Sequence, residues 1–159
     1  MHLQDLTMYL LKRFIPATRL DDIVEIEAMS DVVYADALVE DFTMFRHSEE
    51  HEFFAITTHP DNTHVDNVIY AIGCFDSSGL VWFVSSDHMD NMTPSSKVEF
   101  VRTLKYAKYL AMQYSKTGSL HNYALAANEM HIKLLTKLGA DFGPAIKING
   151  HEFLPFVIQ

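Results

Sequence analysis

Short polar side chains gather at the start of one predicted helix and could bind an anion there. The helix, which the apolar spacing predicts over 95–115, opens with Thr93, Ser95, Ser96 and Lys97. Hydroxyl groups, free backbone N–H groups and the positive end of a helix dipole all favour anions. The same residue types are also common helix caps, with the lysine solvated, and we favour this simpler interpretation. Ser95 and Ser96 are the candidate anion-binding residues of the segment.

Two histidine clusters contain the residue types of metal sites. The segment 47–51 reads His-Ser-Glu-Glu-His and fits the zinc-peptidase pattern H-x-x-E-H, which requires a helix. It runs straight into a predicted strand at 52–58, so we favour a plain charged connection. In the polar loop that we predict over 59–67, His64 and Asp66 could join His59 in binding a cation, but such loops are usually only solvated. We expect no metal site.

The composition describes an acidic protein with enough apolar residues for a packed core. The chain has 159 residues, 48% of them hydrophobic, and a formal net charge of −9. This length fits one domain, and a negative surface repels phosphate, so we expect no direct nucleic-acid binding. No window is apolar enough for a membrane span. Cys74 is the single cysteine, which excludes an intramolecular disulfide.

Unlike the chain as a whole, the predicted helix over 95–115 contains more basic than acidic residues. Its only acid is Glu99, and it is followed at once by a further lysine. The cations of this segment are Lys97, Arg102, Lys105, Lys108 and Lys116. Such a face could dock an acidic protein or DNA. A solvated face is the alternative, which we slightly prefer.

The start of this helix can be predicted in two ways. Ser96 and Glu99 have the spacing of a capping box, in which each side chain binds a free N–H of the first turn. Thr93 followed by Pro94 offers a competing start one turn earlier.

The elements that must position these residues alternate between strands and helices. The first part of the chain predicts a helix or ordered arm over 1–12, an extended segment over 13–18 and one or two helices over 20–40. Strands are predicted over 52–58, 68–75, 80–86 and 122–127, and the chain ends with a helix over 130–138 and strands over 141–148 and 151–158 around Asn149–Gly150. This order predicts an α/β fold, with a mixed sheet flanked by helices.

A strand, an asparagine and a helix form a distinctive pattern near the end of the chain. In YALAANEMHIKLLTKLGADF (123–142), Asn128 caps the helix and Gly139 ends it. This segment resembles the corresponding part of GNAT-family N-acetyltransferases. RFIPATRLDDIVEI (13–26) looks like that family's first strand and helix, and AIGCF with GLVWFV (71–84) looks like its central hairpin.

The resemblance to the acetyltransferases implies a fold, a cofactor and a set of residues. It covers roughly 13–159. It implies one GNAT-like domain over 1–159, with a mostly antiparallel sheet, and an acetyl-CoA site that Ser95, Ser96 and Asn128 would help to form. These three are the candidate cofactor-binding residues.

Several parts that acetyl transfer needs are missing from the sequence. The family holds the cofactor pyrophosphate with a glycine-containing loop, but the corresponding loop, 87–100, has no glycine and carries Asp87 and Asp90. Leu135 stands where the family usually has a tyrosine acid, and His131 where a small residue is usual. We therefore expect no catalytic residue and no cofactor.

A closer resemblance lies inside this family. WFVSSD (82–87) and HIKLLTKLGA (131–140) are similar to stretches of the GNAT-like internal virion proteins of short-tailed phages. This likeness implies a phage protein with other virion proteins as partners, located in the virion and, during infection, in the host cytoplasm. We predict a non-catalytic structural or genome-ejection component. The alternatives are an acetyl-CoA-dependent N-acetyltransferase for a host protein or small amine, and a small inhibitor of host proteins.

Overall fold

The computed structural model describes residues 1–60, 64 and 66–159; residues 61–63 and 65 of the predicted loop 59–67 lie outside the described residues. Eight strands and five α-helices follow one another in the described part of the chain. The strands are β1 (His2–Asp5), β2 (His51–Thr57), β3 (Ile69–Asp76), β4 (Val81–Ser85), β5 (Leu120–Leu125), β6 (Asp141–Phe142), β7 (Ile146–Ile148) and β8 (His151–Ile158). The helices are α1 (Met8–Phe14), α2 (Leu20–Ser30), α3 (Tyr34–Phe45), α4 (Pro94–Tyr114) and α5 (Glu129–Lys137), with 3₁₀ helices at Ile15–Ala17 and Asp87–Asn91.

The strands form two antiparallel sheets. The first has the order β1-β2-β3-β4, and the second has the order β5-β8-β6 with β7 also paired to β8. A parallel bridge between Leu80 and His121 joins them, and the Asn122 side chain donates to the Val81 carbonyl at 2.9 Å. Beyond this junction the described parts of β4 and β5 share no backbone pairing, which leaves a fork between the sheets. The predicted α/β fold with mostly antiparallel strands and flanking helices is confirmed.

Alternation along the strands places helices on both faces of the first sheet. On β2, Phe53 and Ala55 pack with α1 and α3, whereas Phe54 and Ile56 pack with α4. Side chains two residues apart share a face of a strand, so the near-continuous apolar sequence of β2 is explained by burial on both sides.

The first eighteen residues agree with the prediction only in part, since α1 begins at Met8 within the predicted helix or arm. β1 pairs with β2, with Leu3 opposite Ile56, where the sequence predicted a helix or arm. The extended segment predicted over 13–18 is wrong, because α1 runs through Phe14 into the 3₁₀ helix. Pro16 lies in the first turn of this helix, where its missing N–H costs no hydrogen bond.

The predicted turns and caps near the end of the chain are confirmed. Asn128 accepts the N–H of His131 as the cap of α5, and Gly139 follows the helix with a φ of 91°. Asn149 and Gly150 both have positive φ, as a two-residue hairpin turn requires.

Candidate functional site

Helix α2 carries two buried carboxylates at the fork. Asp22 is 4% exposed and Glu25 is 7% exposed. Their i, i+3 spacing places both side chains on one face of the helix, together with Ala28. Ile23 and Ile26 of the same helix are only partly buried.

These carboxylates bind backbone N–H groups on both arms of the fork. Asp22 Oδ2 accepts from the N–H of Ser85 in β4 at 2.6 Å. Glu25 Oε2 accepts from the N–H of Leu125 in β5 at 2.8 Å. The side chains of α2 therefore fill the space where a continuous sheet would have its next ladder hydrogen bonds, and they satisfy buried donors that would otherwise lack a partner.

Asn128 and His131 complete the arrangement from the side of α5. Asn128 Nδ2 donates to Asp22 Oδ1 at 2.8 Å, while its Oδ1 caps the N–H of His131 at 3.4 Å. His131 Nδ1 is hydrogen-bonded to Glu25 Oε1. We call Asp22, Glu25, Asn128 and His131 the buried cluster. It ties α2 to β4, β5 and α5.

The buried cluster changes the titration of two of its members. Burial raises the pKa of Asp22 above its ordinary value, against the opposing effects of His131 and of the hydrogen bonds from Asn128 and Ser85. Burial alone lowers the pKa of His131, but the hydrogen bond and charge of Glu25, with the charge of Asp22, outweigh it and leave that pKa raised. The geometry therefore favours an imidazolium that pairs with Glu25.

Little free space is left in the fork. A cavity of about 60 Å³ lies between β4, β5 and α2, lined in part by Glu25, Trp82 and His131. Pockets for small molecules and cofactors usually measure about 300–1,000 Å³. The cavity is therefore smaller than a usual small-molecule pocket.

The other two candidate cofactor residues are at the start of α4 and are not members of the buried cluster. Ser95 is exposed and Ser96 is half-buried at the start of α4, and no hydrogen bond of the described residues joins them to Asn128. The Ser96 N–H is bound to the Thr93 hydroxyl at 3.2 Å, and Pro94 has no N–H. Two donors that an anion would use are therefore occupied or missing. A role of these serines in cofactor binding stays a prediction.

The histidine clusters take no metal-like arrangement. His51 stacks on Phe45 with ring centroids 4.2 Å apart, and the segment between α3 and β2 is not helical. His59 and His64 stack on each other at 4.0 Å. Within the residues that the structure describes, no group of three or more His, Cys, Asp or Glu could hold a metal ion.

Sequence reasoning found Asn128 and noted His131, but it missed Asp22 and Glu25 as site residues. The available signal was a pair of carboxylates at i, i+3 within an otherwise apolar stripe. That signal does not separate a buried pair from a solvated one.

Known structures have folds similar to that of this chain. The spermidine N-acetyltransferase of Vibrio cholerae in complex with CoA and spermine has a TM-score of 0.58 at 15% identity, covering 99% of this chain and 94% of the other. The GNAT domain of S. lividans PAT has a TM-score of 0.62 at 16% identity, covering 98% and 89%. The chain therefore has the GNAT fold. Likeness at this identity shows the fold alone.

The family is shown by a sequence model. The model described as "Bacteriophage T7, probable scaffold protein Gp13" matches residues 62–145, more than half of the chain. The chain belongs to this family, which confirms the predicted GNAT-fold phage protein. No curated protein matches the sequence. None of the helices in the described residues is long and apolar enough to cross a membrane.

Proposed function

We propose that this chain is a non-catalytic GNAT-fold protein of a phage particle, which acts as a structural or genome-ejection component through contacts with other virion proteins. The observation that carries the proposal is the closed fork. Asp22 and Glu25 occupy the backbone donors of Ser85 and Leu125.

Opening the fork for a ligand has a high energetic cost. A cofactor that used the same backbone donors would displace two buried carboxylates from their N–H partners. A hydrogen bond to a charged group contributes about 1.5–3 kcal/mol, so a cofactor that took the two N–H groups would have to offset the loss of both bonds. This cost supports a binding-incompetent site.

Two positions that acyl transfer would use in this family lack the expected chemistry. Leu135, at the position of the expected acid, is 1% exposed and belongs to the apolar core beneath α4. The 3₁₀ helix that follows β4 begins with Asp87 and also contains Asp90, whose charges oppose a pyrophosphate.

The proposed role in the particle is supported by the family. The description "probable scaffold protein" belongs to the phage T7 member. We infer for this chain a location in the virion, with synthesis in the host cytoplasm. Mass spectrometry of purified particles tests this part: the protein is expected among the particle proteins, and its absence removes the virion role.

Calorimetric titration with acetyl-CoA tests the non-catalytic part. We expect no heat of binding from the wild-type chain, while the Vibrio cholerae spermidine N-acetyltransferase serves as the positive control. Micromolar binding that is lost in Ser96→Ala would support the rival N-acetyltransferase function. A thermal melt of Ser96→Ala shows whether that variant is folded.

A further inference from the structure

Charge is divided very unevenly along the chain. Residues 1–91 contain 17 carboxylates and 4 Lys or Arg, whereas residues 92–159 contain 4 carboxylates and 8 Lys or Arg. No Lys or Arg occurs between Arg19 and Arg46, the stretch that forms α2 and α3. The net charge of −9 is therefore the sum of a strongly acidic part, residues 1–91, and a basic part, residues 92–159.

The two parts face in opposite directions. Helix α3 packs on the face of the first sheet that contains Phe53, with Phe42 edge-on to that ring at 5.1 Å. Helix α4 packs on the other face, where Phe54 lies in the same core as Phe100. The sheet separates the helices, so the acidic surface of α3 and the basic surface of α4 cannot meet within one molecule.

A groove on the basic side has charged walls and apolar residues between them. Its volume is about 470 Å³. The groove is lined by Lys97, Val98, Val101, Arg102, Lys105 and Lys137, and we call it the basic groove. Val98 is 59% exposed, and none of the described lining residues is acidic. Such a surface suits a partner that combines carboxylates with a small apolar projection.

The acidic side presents a projection of this kind. At the turn between α2 and α3, Val32 is 41% exposed and Val33 is 62% exposed. Asp31 and Asp36 flank them and are also exposed. Asp31 has a φ of 54°, which turns the chain sharply between the two helices. We call Asp31, Val32, Val33 and Asp36 the valine corner.

We propose that the valine corner of one molecule docks in the basic groove of a second copy of this chain. Valines meet valines in the centre, and carboxylates meet Lys and Arg at the rim. Because the two surfaces are different and lie on opposite faces, the contact is head-to-tail and leaves one free surface at each end. Repetition of this contact forms a ring or an open filament. The proposal is independent of acetyl-CoA binding, since neither surface includes the buried cluster.

A second copy fits the basic groove better than nucleic acid does. The acidic α2 and α3 surfaces repel a long phosphate chain. The apolar side chains of Val98 and Val101 in the groove make no favourable polar contact with a phosphate. The valine corner supplies both the charge and the apolar contact that the basic groove requires.

Sedimentation equilibrium of the full chain over a range of concentrations tests the proposal. The average mass is expected to rise with concentration. The association constant should fall by about tenfold or more between about 0.01 M and about 1 M salt, because the Debye length shortens from about 30 Å to about 3 Å. A chain that stays monomeric up to about 1 mM overturns the proposal. So does a monomer whose basic groove binds double-stranded DNA.

Two variants locate the contact. Arg102→Glu with Lys105→Glu disables the basic groove, and Val33→Ser with Asp36→Ser disables the valine corner. Each variant alone is expected to be monomeric. Their mixture should form a one-to-one dimer and stop there, because only one intact groove and one intact corner can meet.

The control carries the same charge change elsewhere. Lys12→Glu with Lys147→Glu also lowers the net charge by four, at exposed positions outside both surfaces. It is expected to associate within about twofold of the wild type. Equal weakening by the control and the groove variant, or a mixture that yields no dimer from folded variants, overturns the assignment of the surfaces.

Discussion

At the scale of single residues, Asp22 and Glu25 are the side chains on which the closed fork depends. Each accepts a backbone N–H from a strand far along the chain, and Glu25 and Leu125 are separated by 100 residues. The sequence could not reveal this, because carboxylates at i, i+3 are equally typical of a solvated helix face. Asn128 was predicted as a cap from local sequence. Its second hydrogen bond, to Asp22, depends on packing between distant elements.

The buried cluster predicts how stability depends on pH. The pKa of His131 in the folded protein lies above its ordinary 6.5, so the stabilisation that His131 provides is fully present below about pH 6.5 and is lost as the pH rises through the raised value. The raised pKa of Asp22 acts in the same direction, from its ordinary 3.8 upward. The free energy of unfolding, measured by urea titration, is expected to fall from neutral to mildly alkaline pH.

The variant His131→Gln separates this effect from other titrations. At pH 6 it should be less stable by about 3 kcal/mol, because Glu25 loses its charged partner. The fall in stability above neutral pH should also become shallower. The control is His121→Gln, whose side chain is exposed. A pH dependence that is unchanged in His131→Gln would contradict the assigned pairing.

At the scale of elements, the start of α4 shows how local signals compete. The capping box predicted from Ser96 and Glu99 does not form. Thr93 caps the helix instead, with Pro94 in its first turn, as the competing signal predicted. Glu99 lies 3.7 Å from the amine of Met1, the residue just before β1, and local spacing does not reveal this partner.

A pair of alanine variants tests this cap. Thr93→Ala should lower the free energy of unfolding by about 1 kcal/mol, because it leaves the Ser96 N–H unbound. Ser96→Ala removes a hydroxyl that does not cap the helix and should change stability by less than about 0.5 kcal/mol. Thermal or urea unfolding measures both. Equal losses in the two variants would favour the capping-box interpretation.

The N-terminal elements were the least predictable. β1 has four residues, and two of them are exposed at its ends, so its sequence carries little alternation. Its identity as a strand comes from pairing with β2, which begins about fifty residues later. Residues 13–18 were predicted as extended because Pro16 disfavours helix in the residue before it. The 3₁₀ helix accommodates the proline at its own first turn.

At the scale of the whole molecule, the element order predicted the α/β fold, and the resemblance implied the GNAT fold and the phage family correctly. The strand–asparagine–helix segment and the central hairpin both lie where the resemblance implied. The closed fork could not be predicted, because it depends on how α2 sits against two sheets. We also propose that residues 1–159 form one domain, since β1 pairs with β2 and α2 is hydrogen-bonded to both β4 and β5.

Amide hydrogen exchange followed by NMR tests the closed fork most directly. The N–H groups of Ser85 and Leu125 are predicted to be protected in the free protein, because Asp22 and Glu25 hold them, and added acetyl-CoA should leave their protection unchanged. The Ser86 N–H, bound to Tyr70 in the β3–β4 pairing, is the internal reference. Rapid exchange of Ser85 and Leu125 in the free protein, with protection appearing only when acetyl-CoA is added, would contradict the account.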